Sequence, residues 1–205
     1  LNDIITTRWV TSLQPSPLPI YGPTGTARHV DRTMAMLADD IAYRLAHHDD
    51  LTWEPQCAVT ECTDEVVFDT GSIRVLCAPT EHAPVRPTLG FRVEAEGKAV
   101  VIAGDTVPCE GLDRLCVGAD LLVHTVVRRS LLESVPLQRV QDILDYHSDV
   151  TSAATTAARA SVATLVLTHL VPSPLPGSER EWEAEANSVF DGSVVVAADG
   201  WRIDL

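Results

Sequence analysis

Runs of consecutive apolar residues alternate along the chain with segments whose apolar residues recur every three or four positions. The first pattern is typical of buried strands and the second of amphipathic helices, so the alternation predicts an α/β or α+β fold. Strands are predicted at Cys57–Cys62, Ile73–Ala78, Leu89–Ala95, Ala99–Ala103, Ala119–His124, Ala163–Thr168, Ser193–Ala198 and Trp201–Leu205, and helices at Thr24–His48, Leu131–Tyr146, Val150–Ala160 and Glu179–Phe190.

Turn-forming residues mark the ends of several of these elements. Residues 96–98, Glu-Gly-Lys, lie between two β-prone runs and predict a hairpin, and residues 69–72, Asp-Thr-Gly-Ser, predict a second turn. The three prolines within residues 15–19 predict a stiff loop. Either Thr24 or Thr26 is placed to cap the first long helix.

Composition narrows the class of protein. The 205 residues are 45% hydrophobic, which suits one domain over residues 1–205. The formal net charge of −14 weighs against a broad nucleic-acid-binding face, because such a surface repels phosphate backbones, but it allows a local basic pocket. Five cysteines without a CxxC pair favour reduced thiols and therefore a cytoplasmic protein. No apolar run approaches the ~20 residues of a membrane span.

Three β-prone runs each lead into a residue that can bind a metal: His82, Asp105 and His169. Residues at the mouths of adjacent strands can converge, and His and Asp are ligands that zinc accepts, so the three predict a metallohydrolase site. A carboxylate at the edge of a buried strand is costly when unpaired, and a cation would compensate Asp105. The sequence contains no HxH, HxxxH or HxHxDH, so these residues form only part of a site.

Other interpretations of these residues stay open. His82 could be a loop histidine, and Asp105 could cap a turn. His124 also follows an apolar run and could be a ligand, an orienting residue or a packed imidazole. His147 lies between two predicted helices, where it could bind a phosphate-like oxyanion or protonate a leaving group, or could simply be solvated.

Five motifs follow one another in the chain: Thr80-Glu81-His82 through Pro87–Val93, Gly104-Asp105-Thr106, Ala119–His124, Tyr146-His147-Ser148 and Leu167-Thr168-His169. In order and spacing they resemble the ribonuclease Z branch of the metallo-β-lactamase superfamily, and in its short form the chain resembles the arylsulfatase-like and phosphodiesterase-like relatives most. The resemblance covers nearly the whole chain. It implies an αββα sandwich with two zinc ions between the sheets, and hydrolysis of a phosphodiester or related ester by a zinc-bound hydroxide.

The resemblance also implies a role for each matching residue. His82 would bind one zinc, Asp105 would bridge both, and His169 would bind the other. His147 would contact the phosphate and assist the leaving group, so His147 and Asp105 are the catalytic candidates. Manganese could take the place of zinc.

One departure from the family pattern concerns the missing HxHxDH motif, which would precede Leu1. We therefore expect an N-terminally incomplete fold, about the C-terminal two thirds of the whole. Three ligands spread over two metals would bind them weakly. The alternative function is a catalytically incompetent remnant that serves as a binding or dimerisation module, and unpaired edge strands would favour a homodimer.

A second departure concerns the substrate. Only 22 residues separate His82 from Asp105, which leaves no room for the protruding arm that grips tRNA in some members. His124 is followed by Thr125 instead of the glutamate expected to orient His147. With the charge of −14, these differences favour a small phosphate, cyclic nucleotide or sulfate ester over tRNA as the substrate.

Overall fold

The computed structural model describes residues 1–205, a mixed α/β chain with two compact units, Leu1–Thr63 and Asp64–Leu205. One domain over residues 1–205 stays a prediction. None of the helices is both long and apolar enough to cross a bilayer.

The first unit contains two helices and a two-stranded parallel sheet. The predicted strand at Cys57–Cys62 and the predicted helix at Thr24–His48 are confirmed to within two residues at each end. The loop predicted around the early prolines is wrong in part, because Pro19 lies in a strand that pairs along only one edge within this sheet. The elements are α1 (Asn2–Thr11), β1 (Leu18–Gly22), α2 (Thr26–His47) and β2 (Cys57–Glu61).

The start of α2 is capped from a distant part of the sequence. Gly25 occupies the N-cap position with φ of 103°, and no side chain of the helix itself caps it. Instead, the Glu61 carboxylate accepts hydrogen bonds from the N–H groups of Gly25 (2.8 Å) and Ala27 (3.1 Å). The predicted threonine cap is therefore wrong, because a carboxylate from the following strand satisfies the free amides.

The second unit is built on one seven-stranded sheet whose strands lie side by side in sequence order. The first four strands are antiparallel to one another, and the last four are parallel. The parallel strands are nearly continuous in apolar residues because helices cover them. The strands are β3 (Glu65–Asp69), β4 (Ile73–His82), β5 (Val85–Ala95), β6 (Lys98–Ile102), β7 (Leu121–Val127), β8 (Thr164–Val171) and β9 (Ser193–Val196).

The hairpin predicted at residues 96–98 is confirmed. β5 and β6 are antiparallel, and Ala95 pairs with Lys98 across a two-residue turn. Glu96 and Gly97 both have positive φ, 52° and 77°, as a tight turn that follows the sheet twist requires.

Five helices belong to the second unit, and two of the sequence predictions for this unit are wrong. The helix predicted over Leu131–Tyr146 is broken near Pro136, which cannot donate a backbone hydrogen bond and disfavours helical backbone at the residue before it. The strand predicted at Trp201–Leu205 is absent, and the segment is exposed. The helices are α3 (Glu110–Cys116), α4 (Arg129–Glu133), α5 (Gln138–Gln141), α6 (Val150–Arg159) and α7 (Glu179–Asn187), and a 3₁₀ turn occupies Asp142–Asp145.

Helix α3 approaches β4 so closely that no side chain fits between them at one point. A Cβ atom at Gly111 would lie 1.8 Å from the carbonyl oxygen of Pro79. The core around this contact combines sheet residues with the inner faces of α3, α6 and α7, including Val101, Leu112, Leu122, Ala154, Leu165, Leu167 and Trp182.

Candidate metal centre

All four site residues predicted from the sequence lie at one edge of the second unit's sheet. His82 is the last residue of β4, Asp105 follows β6, and His169 lies near the end of β8. β4 runs in the same direction as β6 and β8, so the three strands deliver their C-terminal ends to the same edge. His147 reaches this edge from the segment between the 3₁₀ turn and α6.

The structure brings three imidazoles around the carboxylate of Asp105. Oδ2 lies 4.0 Å from Nε2 of His82 and 3.8 Å from Nε2 of His147. Oδ1 lies 3.8 Å from Nδ1 of His169. The two oxygens of one carboxylate therefore face different imidazoles, an arrangement that suits a carboxylate shared by two cations.

Two of these imidazoles are held by backbone carbonyls of one short segment. Nδ1 of His82 lies 2.8 Å from the carbonyl oxygen of Tyr146, and Nδ1 of His147 lies 3.2 Å from that of Ile143. Because a carbonyl can only accept a hydrogen bond, both Nδ1 atoms must carry the proton. In the neutral form of each imidazole the lone pair is then on Nε2, the atom that faces Asp105, and this is the tautomer that a metal ligand needs.

Ring packing restricts the same two imidazoles further. The rings of His82 and His147 pack edge to face with centroids 4.8 Å apart, and the Tyr146 ring contacts both, at 5.3 Å and 4.9 Å. The side chains of His82 and His147 are only 13% and 9% exposed. Burial is the main cause that lowers the pKa of His147 below its usual value, so this imidazole is neutral at pH 7.

His169 is placed differently. Its side chain is 52% exposed, and its ring stacks parallel to that of His147 with centroids 6.0 Å apart. Its backbone has φ of 47°, in the left-handed region that residues with a Cβ adopt at a cost of roughly 1–2 kcal/mol. The residue with this backbone conformation is thus one whose imidazole lies 3.8 Å from Asp105.

His124 does not join the three imidazoles that lie within 4.0 Å of the Asp105 carboxylate. It is fully buried on β7, its Nδ1 lies 2.7 Å from the carbonyl oxygen of Thr125, and its Nε2 has no hydrogen-bond partner. Burial lowers its pKa to about 4. The packed imidazole among the three alternatives for His124 agrees best with this placement.

The anchoring groups at Ile143 and Tyr146 were not identified from the sequence. Both act through backbone carbonyls, which every residue possesses, so no residue type could mark them. The only signal is the interruption of helical spacing before His147, which indicates a segment whose carbonyls are free to accept other hydrogen bonds.

The donor set fits a divalent metal of the zinc type. The candidate ligand atoms of His82, Asp105 and His147 all lie within 4.8 Å of one another, and two imidazole nitrogens with one carboxylate oxygen form a typical zinc ligand set. His147 is thus close enough to be a ligand, although the sequence predicted His82, Asp105 and His169 in that role. The division of roles among the four residues stays a prediction.

Comparison with known proteins agrees with this geometry. The profile of the beta-lactamase superfamily domain matches residues 1–170. A protein of Mycolicibacterium gilvum named ribonuclease Z is 50% identical over 207 residues, which cover 100% of this chain and 72% of that protein.

Two solved structures share the fold. The metallo-beta-lactamase fold protein YhfI from Bacillus subtilis superposes with a TM-score of 0.64 at 20% identity, over 98% of this chain and 69% of that one. The short form of human tRNase Z superposes with a TM-score of 0.65 at 23% identity, over 100% of this chain and 73% of that one. The predicted α/β fold of the metallo-β-lactamase type is therefore confirmed.

Proposed function

Because the chain belongs to the ribonuclease Z branch of the metallo-β-lactamase superfamily, we propose that it is a metal-dependent hydrolase of RNA phosphodiester bonds. The observation that carries this proposal is the convergence of three imidazoles on the two oxygens of Asp105. The relative named ribonuclease Z, at 50% identity, favours RNA over the small ester that charge and loop length had suggested.

The metal that we propose is zinc, and His82, Asp105 and His169 would hold it. When bound, the ions would activate water and stabilise charge that develops on the phosphate. The protein's own contribution is to hold the imidazoles of His82 and His147 and the carboxylate of Asp105 in place before any metal arrives. Little ordering of these side chains is then needed on binding.

His147 is the candidate for contact with the phosphate and for assistance to the leaving group. Its Nε2 faces the Asp105 carboxylate, and its Nδ1–H donates a hydrogen bond to the Ile143 carbonyl. Proton exchange with a substrate therefore occurs at Nε2. Since burial keeps the ring neutral at pH 7, Nε2 of His147 would take the proton that the attacking water releases and pass it to the leaving oxygen.

An RNA substrate needs surfaces other than the segment between His82 and Asp105. That segment is filled by the β5–β6 hairpin with its two-residue turn, so it contributes no protruding arm. The cytoplasmic location belongs to this proposal as well, and it is supported by the five free cysteines, three of them buried. A homodimer stays a prediction from the sequence.

The test is hydrolysis by the purified protein with the HxHxDH ligands restored N-terminal to Leu1 and with zinc or manganese added, because three ligands spread over two metals would bind them weakly. The substrates are a labelled tRNA transcript with extensions at both ends, an unstructured RNA, bis-p-nitrophenyl phosphate and p-nitrophenyl sulfate. We expect metal-dependent cleavage of the tRNA transcript that EDTA and Asp105→Asn abolish. Asp191→Asn is the matched control, because Asp191 is exposed and forms no ion pair.

Two results would overturn the proposal. Turnover of the small esters with RNA left intact would restore the small-ester hydrolase predicted from the sequence. Metal binding without hydrolysis of any substrate would favour the non-catalytic binding or dimerisation module.

A further inference from the structure

A single buried threonine connects the backbone beside three of the site residues. The Thr106 hydroxyl accepts a hydrogen bond from the N–H of Glu81 at 3.0 Å, and the Thr106 carbonyl accepts two from Ser148, at 2.9 Å from N and 2.8 Å from Oγ. Glu81 precedes His82, Thr106 follows Asp105, and Ser148 follows His147 in the sequence. Thr106 is 0% exposed and Ser148 is 1% exposed.

The bond to Glu81 fills a gap in the sheet. The pairing of β4 with β5 shifts register between Thr80 and His82, so Glu81 lies outside the regular ladder. Its N–H turns instead to the loop after β6, and the Thr106 hydroxyl is its partner. Without that hydroxyl, the backbone N–H of Glu81, next to His82, would lose its hydrogen bond, and an unpaired buried donor is unfavourable.

We propose that the Thr106 hydroxyl and Ser148 are positioning residues that fix the separations of His82, Asp105 and His147. This inference rests on the proposed metal-dependent function. The three site residues lie on segments far apart in sequence, and the Thr106 hydrogen bonds set the distances between those segments. Neither hydroxyl touches the reacting groups, so both act through the residues beside them.

The fold does not depend on the hydroxyl alone. The N–H of Val107 donates to the Glu81 carbonyl at 2.9 Å, and the N–H of Val127 donates to the Ser148 carbonyl at 3.0 Å, and neither bond involves the Thr106 side chain. Removal of the hydroxyl should therefore leave the segments docked but free to shift by a fraction of an ångström.

The experiment compares Thr106→Val, Thr106→Ser and Ser148→Ala with Thr156→Val. Thr156 is the matched control, because it is also 0% exposed but its hydroxyl has no partner. We expect Thr106→Val to weaken zinc affinity, measured by competition with a chelating dye, by roughly 10- to 100-fold, as loss of a hydrogen bond behind a metal ligand does. Thr106→Ser should restore it to within about threefold, and Thr156→Val should leave it unchanged.

A metal-free measurement separates this inference from the proposed function. In the wild-type protein with EDTA, the hydrogen-bonded Nδ1–H protons of His82 and His147 should give slowly exchanging ¹⁵N-correlated signals. Thr106→Val and Ser148→Ala should shift or broaden them, and Thr156→Val should not. Wild-type protein that binds no zinc would refute the proposed function only. Unchanged imidazole signals and unchanged zinc affinity in Thr106→Val would refute the positioning role.

Discussion

The two sides of the candidate metal centre are prepared in different ways. On one side, His82 and His147 are buried, and each is held by a backbone carbonyl through Nδ1. On the other side, His169 is half exposed, and no backbone carbonyl holds its ring. The free energy needed to order the first pair is spent when the chain folds, whereas the order of His169 must come from its backbone strain and from the ligand it binds.

The largest effect is expected at the residue that both sides share. In a protein with the HxHxDH ligands restored, Asp105→Ala removes the carboxylate that faces all three imidazoles. Hydrolysis should fall by about 10³-fold, the loss expected for several kcal/mol of electrostatic stabilisation. Metal content by elemental analysis should fall with it. The free energy of unfolding of the metal-free protein should change little, because a partly buried carboxylate is removed along with its desolvation cost. Wild-type metal content in this variant would exclude Asp105 as the bridge and restore the turn-capping alternative.

The fully buried His124 on β7, beside the candidate centre, predicts how the stability of the protein depends on pH. The folded-state pKa of His124 is about 4, against an ordinary value of 6.5. The unfolded chain therefore binds the proton more tightly, and stability that is complete above pH 6.5 is lost as the pH falls toward 4. The loss should reach about 3 kcal/mol in urea unfolding. Between pH 7 and pH 4 the free energy of unfolding of His124→Phe should fall by about 3 kcal/mol less than that of the wild-type protein. An equal fall in both proteins would contradict the lowered pKa of His124.

The next effect separates the two sides directly. His82→Ala and His169→Ala each remove one imidazole, but only the His82 ring is both buried and held by a backbone carbonyl before the metal binds. The ordering of His169 costs about 1 kcal/mol when the metal arrives, so His82→Ala should weaken zinc affinity roughly fivefold more than His169→Ala. Competition with a chelating dye measures the zinc affinity of both variants. Equal losses would show that the carbonyl bond gives His82 no advantage.

The smallest effect concerns the strained backbone at His169. Asparagine tolerates the left-handed conformation better than most residues with a Cβ, so His169→Asn should stabilise the metal-free protein by about 0.5–1 kcal/mol in urea unfolding. His169→Val should destabilise it, because β-branched residues resist positive φ. Should both variants have wild-type stability, the backbone at this position would not be strained in solution.

Sequence patterns predicted the parts of this molecule that depend on neighbouring residues. The β5–β6 hairpin and helices α2 and α6 follow from turn chemistry and local apolar spacing, and their predictions are confirmed. The strand at Leu18–Gly22 was missed because its proline, Pro19, is tolerated only through its place in a two-stranded sheet. α3 was missed as well, since seven residues carry little periodic signal.

In the candidate site, too, the residues that follow local sequence patterns could be predicted, and the contacts between distant segments could not. His82, Asp105 and His169 could be found because apolar strands end beside them. The carbonyls of Ile143 and Tyr146 and the hydrogen bonds of Thr106 could not, because they join segments far apart in sequence. A motif shows which side chains are present, and only tertiary structure shows what holds them.

The contact between α3 and β4 has a consequence for how this protein can diverge. At Gly111 any side chain would overlap the carbonyl oxygen of Pro79, which lies three residues before His82 on the same strand. If β4 moved away from a methyl group at this position, His82 at the end of the strand would move with it. A position that contacts no ligand therefore limits which sequences keep the centre intact, and the same position offers an engineer a way to alter the spacing of the centre from outside it.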